Sequence, residues 1–187
     1  MGKIFKIILA VFAALIIIVV AFGAIILLDV EAYIATGSQT LSPAGASAGR
    51  AIVIYDPGLL GTAKGVADKV ASDLQTTGYM VTLAGVKSSA AGITTGYNII
   101  VVGGPIYAGA LTSSTKDVFA NLVLDQGGKI GFYGSGQGAT APIDIAQIKQ
   151  SIPTRSDAML QNAIVVKIGS SEDINARAQD FVNQLIA

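Results

Sequence analysis

Uncharged, mostly apolar residues run without a break from Ile7 to Leu28. As a helix this run is about 33 Å long, enough to cross the hydrocarbon core of a bilayer. A cleaved signal peptide carries an apolar stretch of only about 7–15 residues. Asp29-Val30-Glu31-Ala32 is also a poor cleavage site, so the pattern predicts a retained transmembrane anchor over residues 1–28. Residues 29–49 are rich in Ala, Gly, Ser and Thr, with Pro43, and predict a linker whose Thr36–Gly49 part is a flexible tether.

From Arg50 the pattern alternates between short apolar runs and amphipathic stretches. Ala51–Tyr55 reads as a strand, and Ala63–Thr77 as a helix with Val66, Val70 and Leu74 on one face and Gly78 as its cap. Met80–Ala84 alternates more and predicts a strand nearer an edge. Asn98–Gly103 is a β-branched run suited to a strand buried on both faces. Thr112–Leu124 predicts a helix turning Val118, Phe119, Leu122 and Val123 inward, and Lys129–Gly134 the fourth strand. Ile143–Ile152 reads as a short helix ended by Pro153, and Ala163–Ile168 as the fifth strand. The last helix, capped by Ser170 or Ser171 with Glu172 and Asp173 in its first turn, carries the stripe Ile174, Ala178, Phe181, Val182 and Leu185. Such alternation predicts an α/β domain over residues 50–187, a three-layer, doubly wound, five-stranded parallel sheet with right-handed crossovers.

Mean hydropathy is +0.63 with 13% charged residues, an excess that the N-terminal run supplies. Lys3 and Lys6 precede that run, and no Lys or Arg recurs before Arg50. The positive-inside rule therefore predicts a single-pass protein of the cell membrane, with a cytoplasmic N-terminus and an extracytoplasmic domain. The chain has no Cys and no His, which excludes disulfides, thiolate chemistry and imidazole bases or metal ligands. Lys and Arg number 12, as do Asp and Glu. This balance predicts no nucleic-acid partner.

Three glycine-rich turns leave candidate strand ends. The first, Asp56-Pro57-Gly58-Leu59-Leu60-Gly61-Thr62, enters a helix at Ala63, where free N–H groups and the positive dipole end suit a phosphate. In the second, Gly103-Gly104-Pro105-Ile106-Tyr107-Ala108-Gly109, the glycine pair lets a ligand approach the main chain, and Tyr107 falls at a strand's carboxyl end, where open α/β sheets bind ligands. The third is Gly134-Ser135-Gly136-Gln137-Gly138-Ala139-Thr140. It follows the fourth strand, and the next strand ends in no acidic residue to hold a ribose, so it is not a dinucleotide turn. Gly61-Thr62-Ala63-Lys64 lacks the Gly-Lys-Ser/Thr of a P-loop. Ser135 has no histidine to make it a hydrolase nucleophile.

The five-strand alternation, the Gly-and-Thr turn after the first strand and the Gly-Gly-Pro-Ile-Tyr-Ala-Gly turn after the third resemble the flavodoxin-like family over Arg50–Ala187. The resemblance implies strand order 2-1-3-4-5 and bound FMN. Its phosphate would lie in Gly58, Leu59, Leu60, Gly61, Thr62 and Ala63. Its ring would lie against Pro105, Ile106, Tyr107, Ala108 and Gly109 on one side and Ser135, Gly136, Gln137 and Gly138 on the other. Tyr107 would be the stacking residue, and a peptide in Tyr107–Gly109 would meet the flavin N5. A receiver domain shares the order but needs an aspartate where this chain has Gly103-Gly104-Pro105.

The chain departs from the family in several places. Leu59 and Leu60 replace hydroxyl residues in the phosphate turn, and Asp56 stands at the strand end, either facing a phosphate or capping the turn. The third loop lacks an aromatic to cover the ring, Tyr133 reads as core, and residues 50–187 carry ten basic and ten acidic side chains rather than an acidic excess. Two functions follow as expectations. One is a membrane-anchored FMN protein passing electrons to a redox protein partner. The other is a fold that has lost FMN and serves as an extracytoplasmic binding or assembly module.

Overall fold

Two short apolar runs, Ala51–Ile54 and Ile99–Val102, become the centre of the sheet, and every residue in them is at most 1% exposed. The computed structural model describes residues 2–28, 30–138, 140–152 and 163–187. The strands are β1 (Ser38–Leu41), β2 (Gly49–Tyr55), β3 (Tyr79–Gly85), β4 (Ile99–Tyr107), β5 (Ala110–Leu111), β6 (Lys129–Gly136) and β7 (Ile164–Gly169). The helices are α1 (Lys3–Leu28), α2 (Thr62–Thr76), α3 (Ser113–Asn121), α4 (Pro142–Ser151) and α5 (Ile174–Ile186).

The sheet runs β1-β3-β2-β4-β6-β7, with β5 paired to β4. Its parallel part, β3-β2-β4-β6-β7, has the order 2-1-3-4-5 that the resemblance implies. The sheet has seven strands rather than five because two short antiparallel pieces are added, β1 on β3 and β5 on β4. Alternate residues of each strand point to opposite faces. Ala51, Val53, Ile99, Val101 and Tyr133 pack against Val66, Val70 and Leu74 of α2 and Phe181 and Leu185 of α5. Ile52, Ile54, Ile100, Val102 and Phe132 pack with Phe119, Leu122 and Ile148 on the other face.

Within the span read as a tether, Ser38–Leu41 is paired as β1, with Leu41 opposite Val81. β3 is therefore covered on its outer side. Ahead of β1, a 3₁₀ turn over Val30–Ile34 buries Ala32, and Ala35 beyond it is 6% exposed. The Ala35 carbonyl accepts the Lys87 N–H at 2.9 Å. Gly85 permits this approach, since a Cβ there would overlap the Ala35 carbonyl. Composition suggested slack in this segment, but backbone hydrogen bonds, which small residues leave accessible, decide otherwise.

Other boundaries shift for local reasons. The third parallel strand continues through the glycine pair to Tyr107, because β6 goes on pairing with it as far as Pro105↔Ser135. The last helix is capped by Asp173, whose carboxylate accepts the Asn175 and Ala176 N–H groups, rather than by Ser170 or Ser171. Val123 lies beyond the end of α3 and is half exposed. Gly78 follows α2 at φ +98°, its N–H bonded to the Gln75 carbonyl at 3.0 Å, as a helix-ending glycine does. Pro153 and Ala139 lie outside the described residues. Helix α1 is exposed, and it is long and apolar enough to cross a membrane.

Candidate functional site

The carboxyl ends of β2, β4, β6 and β7 open into a cavity of about 580 Å³. The three glycine-rich turns meet there. Gly58, Leu59, Leu60, Thr62 and Ala63 line it from the first, Pro105, Ile106, Tyr107, Ala108 and Gly109 from the second, and Ser135, Gly136 and Gln137 from the third. Gly61 and Gly138 do not. Gly61 is the N-cap of α2 at φ +68° with no side-chain cap, and Gly138 backs onto Gly169, where a Cβ would overlap its carbonyl. The turns did not reveal Phe22, Ile26, Asp144, Gln147, Lys167 and Ser170, which also line the cavity, as does Pro57. Lys167 had a signal in the sequence, as the one charge in an otherwise apolar strand.

Asp56 is fully buried and caps the first turn. Its carboxylate accepts the Gly58 N–H at 3.1 Å and the hydroxyls of Thr112 and Ser114 at 2.8 and 2.7 Å. Of the two orientations open in the sequence, facing a phosphate or capping the turn, the structure adopts the capping one and adds donors from the start of α3. The α2 N-terminus is thus left with the Thr62 hydroxyl and the first-turn N–H groups of an uncapped helix, a positive dipole end.

The glycine pair serves packing. Neither Gly103 nor Gly104 has a positive φ. A Cβ on Gly103 would overlap the Tyr133 ring, and one on Gly104 would lie 2.5 Å from the Thr115 hydroxyl. Their missing side chains make room for protein, not for a ligand's approach to the main chain. Tyr133 is a core residue as expected. Its hydroxyl donates to the Ala63 carbonyl at 2.8 Å, and burial pushes its pKa well above 10.

Tyr107 lies half-buried in the cavity wall, its hydroxyl accepting the Leu59 N–H at 2.9 Å. The second turn is thereby tied to the first. Beyond Tyr107 the chain makes a two-residue hairpin, with Tyr107 opposite Ala110. Both loop residues have positive φ, +50° at Ala108 and +80° at Gly109, as a type I′ turn requires. Alanine is strained in that region. Ala108→Gly is expected to stabilise the fold by about 0.5–1 kcal/mol, the relief of strain outweighing the added freedom of the unfolded chain. Urea unfolding checks this, and a lower midpoint would contradict it.

Opposite these turns, Lys167 donates to Asp144 at 2.7 Å, and Asp144 also accepts the Ala141 N–H at 2.8 Å. The Lys167 hydrogen bond, aided by the Ala141 N–H, holds the Asp144 carboxyl below its ordinary range. Burial alone would raise Glu172, but bonds from the Gly169 N–H and from Thr140, with Arg177 nearby, leave it net lowered. Both groups are depressed in the folded state, so their stabilisation is present above the usual carboxylate pKa of about 4 and is lost as pH falls through the lowered values. The urea midpoint is expected to stay level from about pH 7 to 5 and to fall below about pH 4. Asp144→Asn should unfold more easily at neutral pH and show a shallower acid fall. An unchanged acid limb would contradict the assignment.

No protein-family model matches the chain, and no curated protein matches its sequence. Solved structures do. A flavodoxin from Streptococcus pneumoniae TIGR4 is similar at TM-score 0.54 and 20% identity, over 73% of this chain and 97% of that one. Flavodoxin 2 from Bacillus cereus is similar at 0.51 and 17%, over 73% and 97%. An NADH:FMN oxidoreductase, solved in its apo form, is similar at 0.55 and 12%, over 73% and 88%. At these identities the likeness concerns architecture, and the domain has the flavodoxin-like fold.

Proposed function

We propose that this protein is a membrane-anchored, flavodoxin-like electron carrier that binds FMN in the cavity at the strand ends. The observation that carries the reading is the meeting of the three turns over the uncapped N-terminus of α2. The cavity's size lies within the range of cofactor pockets, roughly 300–1,000 Å³. The α2 first turn, with the Thr62 hydroxyl and the N–H groups of Thr62 and Ala63, would hold the phosphate. Asp56 is engaged by the Gly58 N–H and by the Thr112 and Ser114 hydroxyls, donors that partly offset its charge beside the phosphate. Ile106–Gly109 and Ser135–Gln137 would flank the ring, with Tyr107 the candidate for stacking. FMN would supply the redox chemistry, while the protein sets its binding and environment. That division suits a chain without His or Cys.

In this reading α1 spans the membrane, Lys3 and Lys6 keep the N-terminus in the cytoplasm, and the domain lies outside with a redox protein as its partner. Tyr107→Ala is expected to weaken FMN binding by about 1–3 kcal/mol, by analogy with base-on-aromatic stacking. Unchanged affinity would show that the ring lies elsewhere. The test of the whole reading is a titration of the full chain in detergent micelles with FMN, following quenching of flavin fluorescence. Saturable binding at micromolar or tighter affinity is expected. No binding at high micromolar FMN, with the domain folded, would favour the extracytoplasmic binding or assembly module, for which Leu59 and Leu60 in the phosphate turn are the supporting feature.

A further inference from the structure

We infer that the end of α1 is a wall of the cofactor cavity and that Phe22 supplies an aromatic contact to the bound ring. The ring contact rests on the flavin reading above, whereas the wall does not. Phe22 and Ile26, one helical turn apart and on one face, line the same cavity as Leu59, Leu60 and Tyr107. Phe22 and Tyr107 are the aromatic residues that line it among the described residues. The third loop offers no ring, so the helix provides what that loop lacks.

The connection from α1 into the domain is short. A single residue separates Leu28 from the 3₁₀ turn at Val30–Ile34, a reach of about 7 Å. Ala32 within that turn and Ala35 after it are buried in the domain, and β1 then joins the sheet at Ser38↔Ala84, the carboxyl end of β3. The chain thus enters the domain at the end of the sheet where the cavity opens. Leu60, 77% exposed, stands at this rim. The two leucines, out of place in a phosphate turn that meets water, are suited to a turn that meets an apolar helix and a lipid surface.

Two measurements on the full chain in micelles test this. The chain has no cysteine, so thiol pairs can be introduced cleanly. Ile26→Cys with Leu60→Cys should be joined by a short bifunctional thiol reagent, and Val11→Cys with Leu60→Cys should not, because Val11 lies about 22 Å further along the helix. Cross-linking of neither pair, or of both alike, overturns the wall whether or not FMN binds. In the FMN titration, Phe22→Ala should raise the dissociation constant roughly tenfold, with Phe22→Tyr near the parent and Val11→Ala unchanged. If the parent chain binds FMN and Phe22→Ala binds equally well, the ring contact is overturned. Cross-linking of Ile26→Cys with Leu60→Cys, where the parent chain binds no FMN, supports the wall and overturns the ring contact together with the flavin reading.

Discussion

Asp56→Ala is expected to lower the free energy of unfolding by about 3 kcal/mol and to weaken any anion bound at the start of α2. The carboxylate is buried and gathers three donors, the Gly58 N–H and the hydroxyls of Thr112 and Ser114. A buried donor left without its acceptor costs about 1–3 kcal/mol, and removing one side of a buried charged cluster about 3–5. The value falls at the low end because Thr112 and Ser114 lie 3.2 Å apart, and Thr112 reaches Thr115 at 2.8 Å, so the hydroxyls can turn to one another. Asp56→Asn, which keeps one acceptor oxygen, should fall between parent and alanine. The chain has no Trp, so the measurement is urea unfolding of the full chain in micelles followed by tyrosine emission. Unchanged stability with tighter FMN binding would mean that the carboxylate faces the phosphate after all.

Gly103→Ala should be more damaging, at about 3–5 kcal/mol, although it adds a single methyl group. That methyl would overlap the ring carbons and hydroxyl of Tyr133, which is wholly buried. Overpacking costs about 1–3 kcal/mol, and loss of the Tyr133 hydrogen bond to Ala63 adds about 1–3. Ala63 lies in the first turn of α2, so the strain reaches the proposed phosphate site. Tyr133→Phe should not relieve the overlap, since ring carbons are involved. Tyr133→Leu should, and Gly103→Ala combined with Tyr133→Leu should cost clearly less than the sum of the two. Strict additivity would show that the two positions do not compete for space.

Much of the fold was legible in the chain. The runs 51–55, 80–84, 98–103, 129–134 and 163–168 are short and apolar, and amphipathic stretches with stripes such as Val66, Val70 and Leu74 separate most of them. Period and spacing suffice to call parallel strands with helical crossovers, because burial on both faces demands continuous apolar runs. The Tyr133 position was legible too, as a large side chain in such a run. The three turns could be placed at strand ends, and so on the edge of the sheet where ligands collect.

Other features were not legible, for physical reasons that differ. Ser38–Leu41 is polar and short, and it becomes a strand only because β3 presents an open edge to it. Gly103 and Gly104 look identical whether they admit a ligand or a neighbouring side chain. Only the position of Tyr133 and Thr115, about 30 and 11 residues away, decides the matter. Asp56 could equally have faced a phosphate or capped the turn, and donors 56 and 58 residues distant, beside the Gly58 N–H, settle its direction. Phe22 belongs to an apolar run in which no residue stands out, and its place at the cavity depends on how little chain separates α1 from a buried Ala32. Local pattern, then, determined the elements, their alternation and which ends carry turns, because burial periodicity and backbone freedom act within a few residues. Which of those turn residues face a ligand and which face each other was decided by tertiary packing, because that question is settled by atoms distant in sequence competing for the same space and the same hydrogen bonds.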